Sequence, residues 1–485
     1  MLLTPIVLFV ILMILLYVPP VQNFIRKQAT AIASDATGMN ISVERIDLRF
    51  PLNLLVRGVQ VVQSEADAAD VQHPDTLLNL GSLNVSVQAW PLLQGRVEVN
   101  AITLQQVAVN SSNLLEGMHI KGTLGRFFLE SHGIDLKKED AILNNVELSN
   151  THMQVMLADT TETPKDSTET AVNWRIALHN LKLKNVSVDL QMPLDSMALG
   201  ANIGDASIED ANLDLKRQFY GWRRFTLTES AVNYDLGMAA PVEGFDASHI
   251  ALRDIRIGID SVMACGRDMN AIIREFSMYD RSGLTVTSLT GRLFADSTLI
   301  RIPYLQLKTP HSDMDLTAQT YWKLVDIPTT GHLSARFNAN IGKQDVLLFA
   351  GGLPETFKEA YPFRPLVIHA GTEGNLKQMQ ISRFTAELPG AFFLSGGGEL
   401  WNLTDSLTRN GGLDFEMQTQ DLNFLTGLTG VTPDGSIIVP DSMNLVARLG
   451  LDGPQCNAIL KIKEGEGSLG LDAAYNLNTE VYHAD

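Results

Sequence analysis

Residues 175–189 read RIALHNLKLKNVSVD, and the spacing of their apolar positions decides the fold. Ile176 and Leu178 form a pair spaced by two, Leu181 and Leu183 form the next, and Val186 and Val188 the third. A strand shows one face at i, i+2 and i+4, so each step of three would turn the next pair to the opposite face. Two devices prevent this: a β-bulge that restores the face, or a corner in the chain. Asn or Asp often occupies the step, as at Asn100, Asn180, Asn185 and Asp254, and both types suit a local turn conformation. Lys182, Lys184, Ser187 and Asp189 fall on the other side, so the sheet has one greasy face and one wet face.

The same register recurs along the chain. Val97 and Val99 lead to Ile102 and Leu104, then to Val107 and Val109. It returns at Ile250, Leu252, Ile255 and Ile257, and again at Ile300, Ile302, Leu305 and Leu307. Phe225, Leu227, Val232 and Tyr234 fit it too, with Ser230 in an apolar slot. The expectation is a mainly β fold: an elongated, repetitive sheet whose apolar positions line a groove, with a few short covering helices. Helical patches are expected at Leu124 to Glu130, Gln344 to Ala350, Glu355 to Tyr361 and Asp421 to Leu428, plugging an end or covering an edge. Polar stretches at 63–76 and 159–170 read as loops. After about residue 330 the five-residue register gives way to simpler hairpins, with bends marked by Leu388-Pro389-Gly390 and Gly396-Gly397-Gly398. A soft boundary near Thr329-Thr330-Gly331 divides a repetitive region, 39–330, from a continuing β region with helical insertions, 331–485.

The N-terminus is different. Residues 2–18 carry no charge, a run just long enough to span a hydrocarbon core of roughly 30 Å. Leu2, Ile6, Phe9, Leu12 and Leu16 supply its apolar bulk, Tyr17 suits the interface, and Pro19-Pro20 closes it. A cleavable signal peptide would want a basic leader and small residues after the run, and neither is present, so 1–19 reads as an uncleaved anchor. Residues 20–38 follow as an amphipathic helix, with Val21, Phe24, Ile25, Ala29, Ile32 and Ala36 on one face and Gly38 as its stop. Arg26 and Lys27 after the span would, by the positive-inside rule alone, keep the remainder cytoplasmic.

Composition excludes several function classes. The 485 residues are 45% apolar and 19% charged, so the chain buries apolar surface and is no disordered tail. A net charge of -18 without a basic stripe argues against nucleic acid, whose phosphates need concentrated Lys and Arg. Cys265 and Cys456 are too few and too far apart for a disulfide or metal framework. The GEGSLG segment (Gly465, Gly467, Gly470) matches a dinucleotide fingerprint, but the following Leu469, Leu471 and Ala473 alternate like a strand, which predicts a hairpin turn. The ten histidines form no pair at ligand spacing, Asp313 and Asp315 lack a calcium loop, and no nucleophile elbow or phosphate loop is present. No catalytic residue, cofactor or metal is expected, and the chain reads as non-enzymatic.

A one-sided sheet must cover its apolar face, and a second sheet or the chain's own helices would do so. The tether and the aliphatic slots, with only 7% aromatic residues overall, favour an open trough instead. Each CH₂ of an acyl chain buried there would gain roughly 0.8 kcal/mol.

Several segments resemble TamB and the wider AsmA-like proteins: LYVPPVQNFIRKQAT, TGMNISVERIDLRFPL, RVEVNAITLQQVAVN, GTLGRFFLESHGIDL, SHIALRDIRIGID and REFSMYDRSGLTVTSLTGRL. The resemblance covers essentially the whole chain. It implies an anchor in the Gram-negative inner membrane, a periplasmic body, and a β-taco groove related to bridge-like lipid transfer proteins. It also implies a role in outer-membrane biogenesis, through phospholipid transport or, alternatively, through assembly of outer-membrane or secreted β-proteins with an Omp85-type barrel partner. TamB-like chains are usually much longer, so an N-terminal fragment is expected here.

Overall fold

The computed structural model describes residues 39–49, 53–62, 76–88, 99–111, 117–135, 138–157, 173–429, 440 and 442–484, with scattered positions between 23 and 34. Strands make up 70% of it and helices are few, which meets the mainly β expectation. The anchor expected at 1–19 lies outside the described residues, and among those that are described no helix is long and apolar enough to cross a membrane. Positions 23, 26–28, 30, 31 and 34 are helical, within the span expected to be amphipathic. This segment is tied to the first strand: Ser34 Oγ accepts from the Ile41 N–H at 3.1 Å, and Arg26 donates to the Glu44 carbonyl at 2.6 Å.

The chain separates into two units, residues 1–239 with 248–261, and residues 240–247 with 262–485. The boundary expected near 329–331 falls inside the second unit, after a short helix.

The first unit contains β1 (Asn40–Arg49), β2 (Asn53–Val62), β3 (Thr76–Val87), β4 (Val99–Asn110) and β5 (Met118–Asp135). It continues with β6 (Asp140–Leu157), β7 (Arg175–Met192), β8 (Met197–Asp214) and β9 (Phe219–Leu236), and takes the part of β10 (His249–Cys265) up to Ser261. Each of β1 to β8 hydrogen-bonds to the strand that follows it. All these pairs are antiparallel except β6–β7, which is parallel.

One step of three is made by left-handed residues in five strands, whereas the step at Asn100 is a bulge, with a register shift between Ser86 and Val87. Gly58, Gln106, Asn150, Asn185 and Glu229 have φ of 59°, 56°, 52°, 52° and 53°. All five occupy the same step of β2, β4, β6, β7 and β9. The register around the step is unchanged: Lys184 pairs with Asp205 on one side of it and Val186 with Ile203 on the other. Each left-handed residue shifts the side-chain alternation by one, so the apolar pairs on both sides keep one face. Of the four step residues named from sequence, Asn185 and Asp254 are left-handed and Asn100 and Asn180 are not.

Strands β3, β5 and β8, which run the other way, carry glycine at this level, and close approach explains why. A Cβ on Gly125 would lie 2.8 Å from the Asn150 Cβ, and one on Gly204 would lie 2.7 Å from the Glu229 Cβ. Real Cβ atoms do not approach so closely, so an alanine at either site forces the backbone apart.

The stretch Leu124 to Glu130, expected to be helical, is part of β5. Leu124, Phe127 and Leu129 are spaced by three and then two, and the step at Gly125-Arg126 imitates a helical turn in the sequence.

The second unit contains β11 (Asp268–Asp280), β12 (Thr285–Val286), β13 (Ser288–Ala295), β14 (Leu299–Lys308) and β15 (Asp313–Tyr321). Helix α1 (Trp322–Asp326), β16 (Leu333–Ile341), α2 (Lys343–Phe349) and α3 (Glu355–Ala360) follow. Then come β17 (Leu366–Asn375), β18 (Gln378–Leu388), β19 (Phe392–Trp401), β20 (Asn410–Thr419) and a 3-10 turn, η1 (Asn423–Thr429). The chain closes with β21 (Asn444–Asp452), β22 (Gln455–Glu464), β23 (Gly467–Asn476) and β24 (Tyr482–Ala484). Here the step between Ile302 and Leu305 is a true bulge, with a register shift against β15. Pro303 sits in it, where a missing N–H is tolerated. Three of the four expected helical patches occur, as α2, α3 and η1. The bend at Leu388-Pro389-Gly390 joins β18 to β19. Gly396-Gly397-Gly398 instead lies within β19, opposite a register shift between Ile381 and Phe384.

Gly204→Ala is expected to destabilise the first unit by about 1–3 kcal/mol through overpacking. Gly133→Ala, where an added Cβ meets nothing within 4 Å, is expected to be nearly neutral. Urea unfolding of both variants followed by circular dichroism checks the pair.

Candidate functional site

In the first unit, strand pairing turns the apolar pairs into ladders that cross the whole sheet. One runs Leu48–Leu54–Val85–Ile102–Leu129 and on through Val146–Leu181–Ile208–Phe225. The next runs Ile46–Val56–Leu83–Leu104–Phe127 and on through Leu148–Leu183–Ala206–Leu227. Beyond the left-handed row, Val107 and Val186 sit on a third ladder, and Val109 and Val188 on a fourth. Leu178 pairs with Leu143 and Ala211, and Ile176 with Ala141 and Leu213. The residues named from periodicity on β4 and β7 are therefore brought onto shared rows, apart from Val99, which is paired with Val87 near the strand end. Val97 lies outside the described residues.

These side chains are half-buried, not sealed. Val99, Ile102, Leu104, Val107, Val109, Ile176, Leu178, Leu181 and Leu183 are all intermediate in exposure. Val186 is 6% exposed, whereas Val188 is 36% exposed. On β10, Ile255 is 4% exposed and Ile250, Leu252 and Ile257 are half-buried. A sandwich core would bury such positions almost completely.

Two polar residues stand on this face without making it polar. The buried Thr151 hydroxyl turns back to the Ser149 carbonyl at 3.4 Å. Ser230, also buried, donates to the Thr228 carbonyl at 2.9 Å and accepts from the Gly204 N–H at 3.3 Å. Charge is kept to the opposite face. Arg223 bridges Asp210 and Glu209 at 2.7 Å each, and His179 approaches Asp210 at 3.3 Å. The Arg223 hydrogen bond, then that of His179, holds the Asp210 carboxyl below the usual carboxylate range. Such exposed pairs add little stability.

The second unit repeats the arrangement with plain alternation. One ladder runs from Leu289 through Leu307, Met314, Ala339, Ile368 and Ala386. It continues through Leu394, Met417, Leu445 and Ile462 to Leu469. Leu305 joins the neighbouring row, pairing with Gly291 and Leu316, while Ile300 and Ile302 pair with Thr320 and Ala318. All four of these β14 positions are half-buried.

At one end of the strands, α3 and η1 close over the sheet. Phe357, Tyr361 and Phe424 stack against one another with centroids 5.6–5.9 Å apart, over Leu388, Ala391 and Leu422. At the other end, toward β23, the apolar face holds a cavity of about 440 Å³ lined mainly by Leu, Ala and Tyr side chains. Exposure rises across the sheet toward its β23 side, where Leu469, on the same row as Met417, is 64% exposed.

Among the described residues no three His, Cys, Asp or Glu side chains converge as a metal site. The GEGSLG segment forms the hairpin between β22 and β23, with Gly465 at φ 54° and Glu464 paired to Gly467. Sequence reasoning missed the parallel β6–β7 pair. Its signal is present: NVELSN at 145–150 and NLKLKN at 180–185 repeat the same pattern 35 residues apart, the offset of every paired position. It also missed the cavity, which depends on where small residues meet across strands. No protein-family model matches the chain, and no curated protein matches it.

Leu388→Ala, at a site 1% exposed, is expected to cost about 2–5 kcal/mol, as large-to-small changes in a packed core do. Leu469→Ala should cost well under ~1 kcal/mol. Denaturant midpoints of the two variants test whether packing is concentrated beneath the helices and not toward β23.

Proposed function

We propose that this chain is a membrane-tethered lipid carrier of the Gram-negative envelope, anchored in the inner membrane, whose apolar sheet face forms a groove for phospholipid acyl chains passing between the inner and outer membranes. The carrying observation is the set of apolar ladders across β1–β9, mostly half-buried and free of charged side chains. A sheet that holds such a row through nine strands, with its charges on the other face, has the surface chemistry of a trough for hydrocarbon. A tail of about a dozen methylenes laid along it gains up to roughly 10 kcal/mol from burial, enough to hold lipid without any reaction. The resemblance to TamB-like and AsmA-like proteins agrees with this reading.

The test is lipid occupancy of the full chain purified in mild detergent from Gram-negative cells. Several phospholipids per chain are expected by phosphate assay and mass spectrometry of the extract. Leu183→Asp and Val186→Asp should each remove at least half of them, because a carboxylate in an apolar trough must be desolvated or drive the tail away. Lys184→Asp, on the opposite face, should change nothing. Equal lipid in all four proteins, or none in any, overturns the proposal.

A further inference from the structure

The cavity in the second unit forms where small residues meet across strands. Ala458 and Ala473 pair across β22 and β23. Each is flanked along its own strand by larger side chains on the same face, Cys456 and Leu460 on β22 and Leu471 and Tyr475 on β23. Two adjacent small residues between bulky rows leave a hollow, and Leu449 and Leu451 of β21 extend it. No lining residue is a lysine, arginine, aspartate or glutamate. Polar groups reach it mainly at the rim, where Tyr475 pairs with Tyr482 beside His483.

The hollow, about 440 Å³ and open to solvent on one side, has room for an acyl chain laid along the sheet. From the hollow at Ala458 and Ala473, its uncharged lining and its hydroxyl-bearing rim, we propose that this cavity is a binding site for a single-chain amphiphile, a long unbranched fatty acid or lysophospholipid. The tail lies over the two alanines, and the head meets Tyr475 and Tyr482. The site does not require the conduit reading, which concerns two-chain phospholipid on the ladders of the first unit.

Cys456 lines the cavity and, with Cys265, is one of the chain's two thiols. The experiment uses the full chain carrying Cys265→Ser, reconstituted into phosphatidylcholine vesicles, so that two-chain lipid is always present. The rate of Cys456 alkylation by N-ethylmaleimide is measured with and without palmitate or palmitoyl-lysophosphatidylcholine. Alkylation is expected to slow about tenfold when the added amphiphile is at ten times its Kd. Protection by both probes places recognition in the chain, and protection by the lysolipid alone places it at the rim; either supports the site. A control thiol comes from Val446→Cys in a Cys265→Ser, Cys456→Ser background, on the opposite face at a position 48% exposed. Its rate should not change. Equal slowing at both thiols, or none at Cys456, overturns the proposal. Ala473→Leu fills the hollow and should abolish protection, with Ala458→Val as the milder version if the first does not fold. Protection that survives the folded filling variant also overturns it. Lipid lost on Leu183→Asp with protection of Cys456 intact would show the two sites to be separate.

Discussion

The structure depends on one conformational constraint: a strand keeps its apolar pairs on one face at a five-residue period only if each step of three is absorbed, and at one level of the first unit a residue of reversed handedness absorbs it. In the first unit that residue is at positive φ in β2, β4, β6, β7 and β9. A left-handed non-glycine residue costs roughly 1–2 kcal/mol. The sheet tolerates this at Gln106 and Glu229, where neither side chain favours the conformation, because losing the step would turn half of each strand inside out. A single misplaced step would put Leu183 and Leu181 among lysines and Val186 in water, a far larger penalty.

The constraint propagates sideways. A left-handed residue pushes its Cβ and carbonyl toward the neighbouring strand, and the neighbour must make room, so glycine stands at the same level on β3, β5 and β8. The row reads Gly58, Gly81, Gln106, Gly125, Asn150, Asn185, Gly204, Glu229 across β2 to β9. Neighbouring strands are thereby held in register, since a slip by one residue would bring a side chain against the left-handed position. The apolar ladders are continuous because this row is continuous. The second unit relies on plain alternation with bulges, and there the packing is supplied by α3 and η1 at one end of the strands, leaving the other end hollow.

Much of this was legible in the sequence, for a physical reason: which face a residue occupies is a local property of the chain. The ladder positions on β4, β7 and β14, Val99 apart, follow from spacing alone, and so does the hairpin at Gly465. What the spacing does not encode is which backbone conformation executes the step. Asn and Asp predict it at Asn185 and Asp254, but Gln106 and Glu229 carry no such mark, and Asn180 is used instead for a side-chain hydrogen bond to Asn145 at 3.3 Å. The error at Leu124 to Glu130 has the same origin. Apolar residues at i and i+3 describe a helical face or a strand with a left-handed step, and only pairing partners separate the two. The depression at Ala458 and Ala473 was invisible because it is a coincidence between strands.

The parallel junction shows how strictly the step governs pairing. Across the antiparallel pairs of this row from β3 to β9, a left-handed residue on one strand meets a glycine on the next. Strands β6 and β7 run the same way, so two left-handed residues must lie side by side, and no glycine is available to relieve the contact. Both are asparagine, and they join through their amides, Asn185 Nδ2 to Asn150 Oδ1 at 3.2 Å. Asparagine is the side chain that tolerates the left-handed region and can also donate to a copy of itself. The same solution appears one step along, where Asn180 donates to Asn145. The 35-residue repeat of NVELSN as NLKLKN is therefore a requirement of in-register parallel pairing: aligning the steps aligns the asparagines, and aligning the asparagines carries Val146–Leu181 and Leu148–Leu183 across the junction without breaking the apolar face.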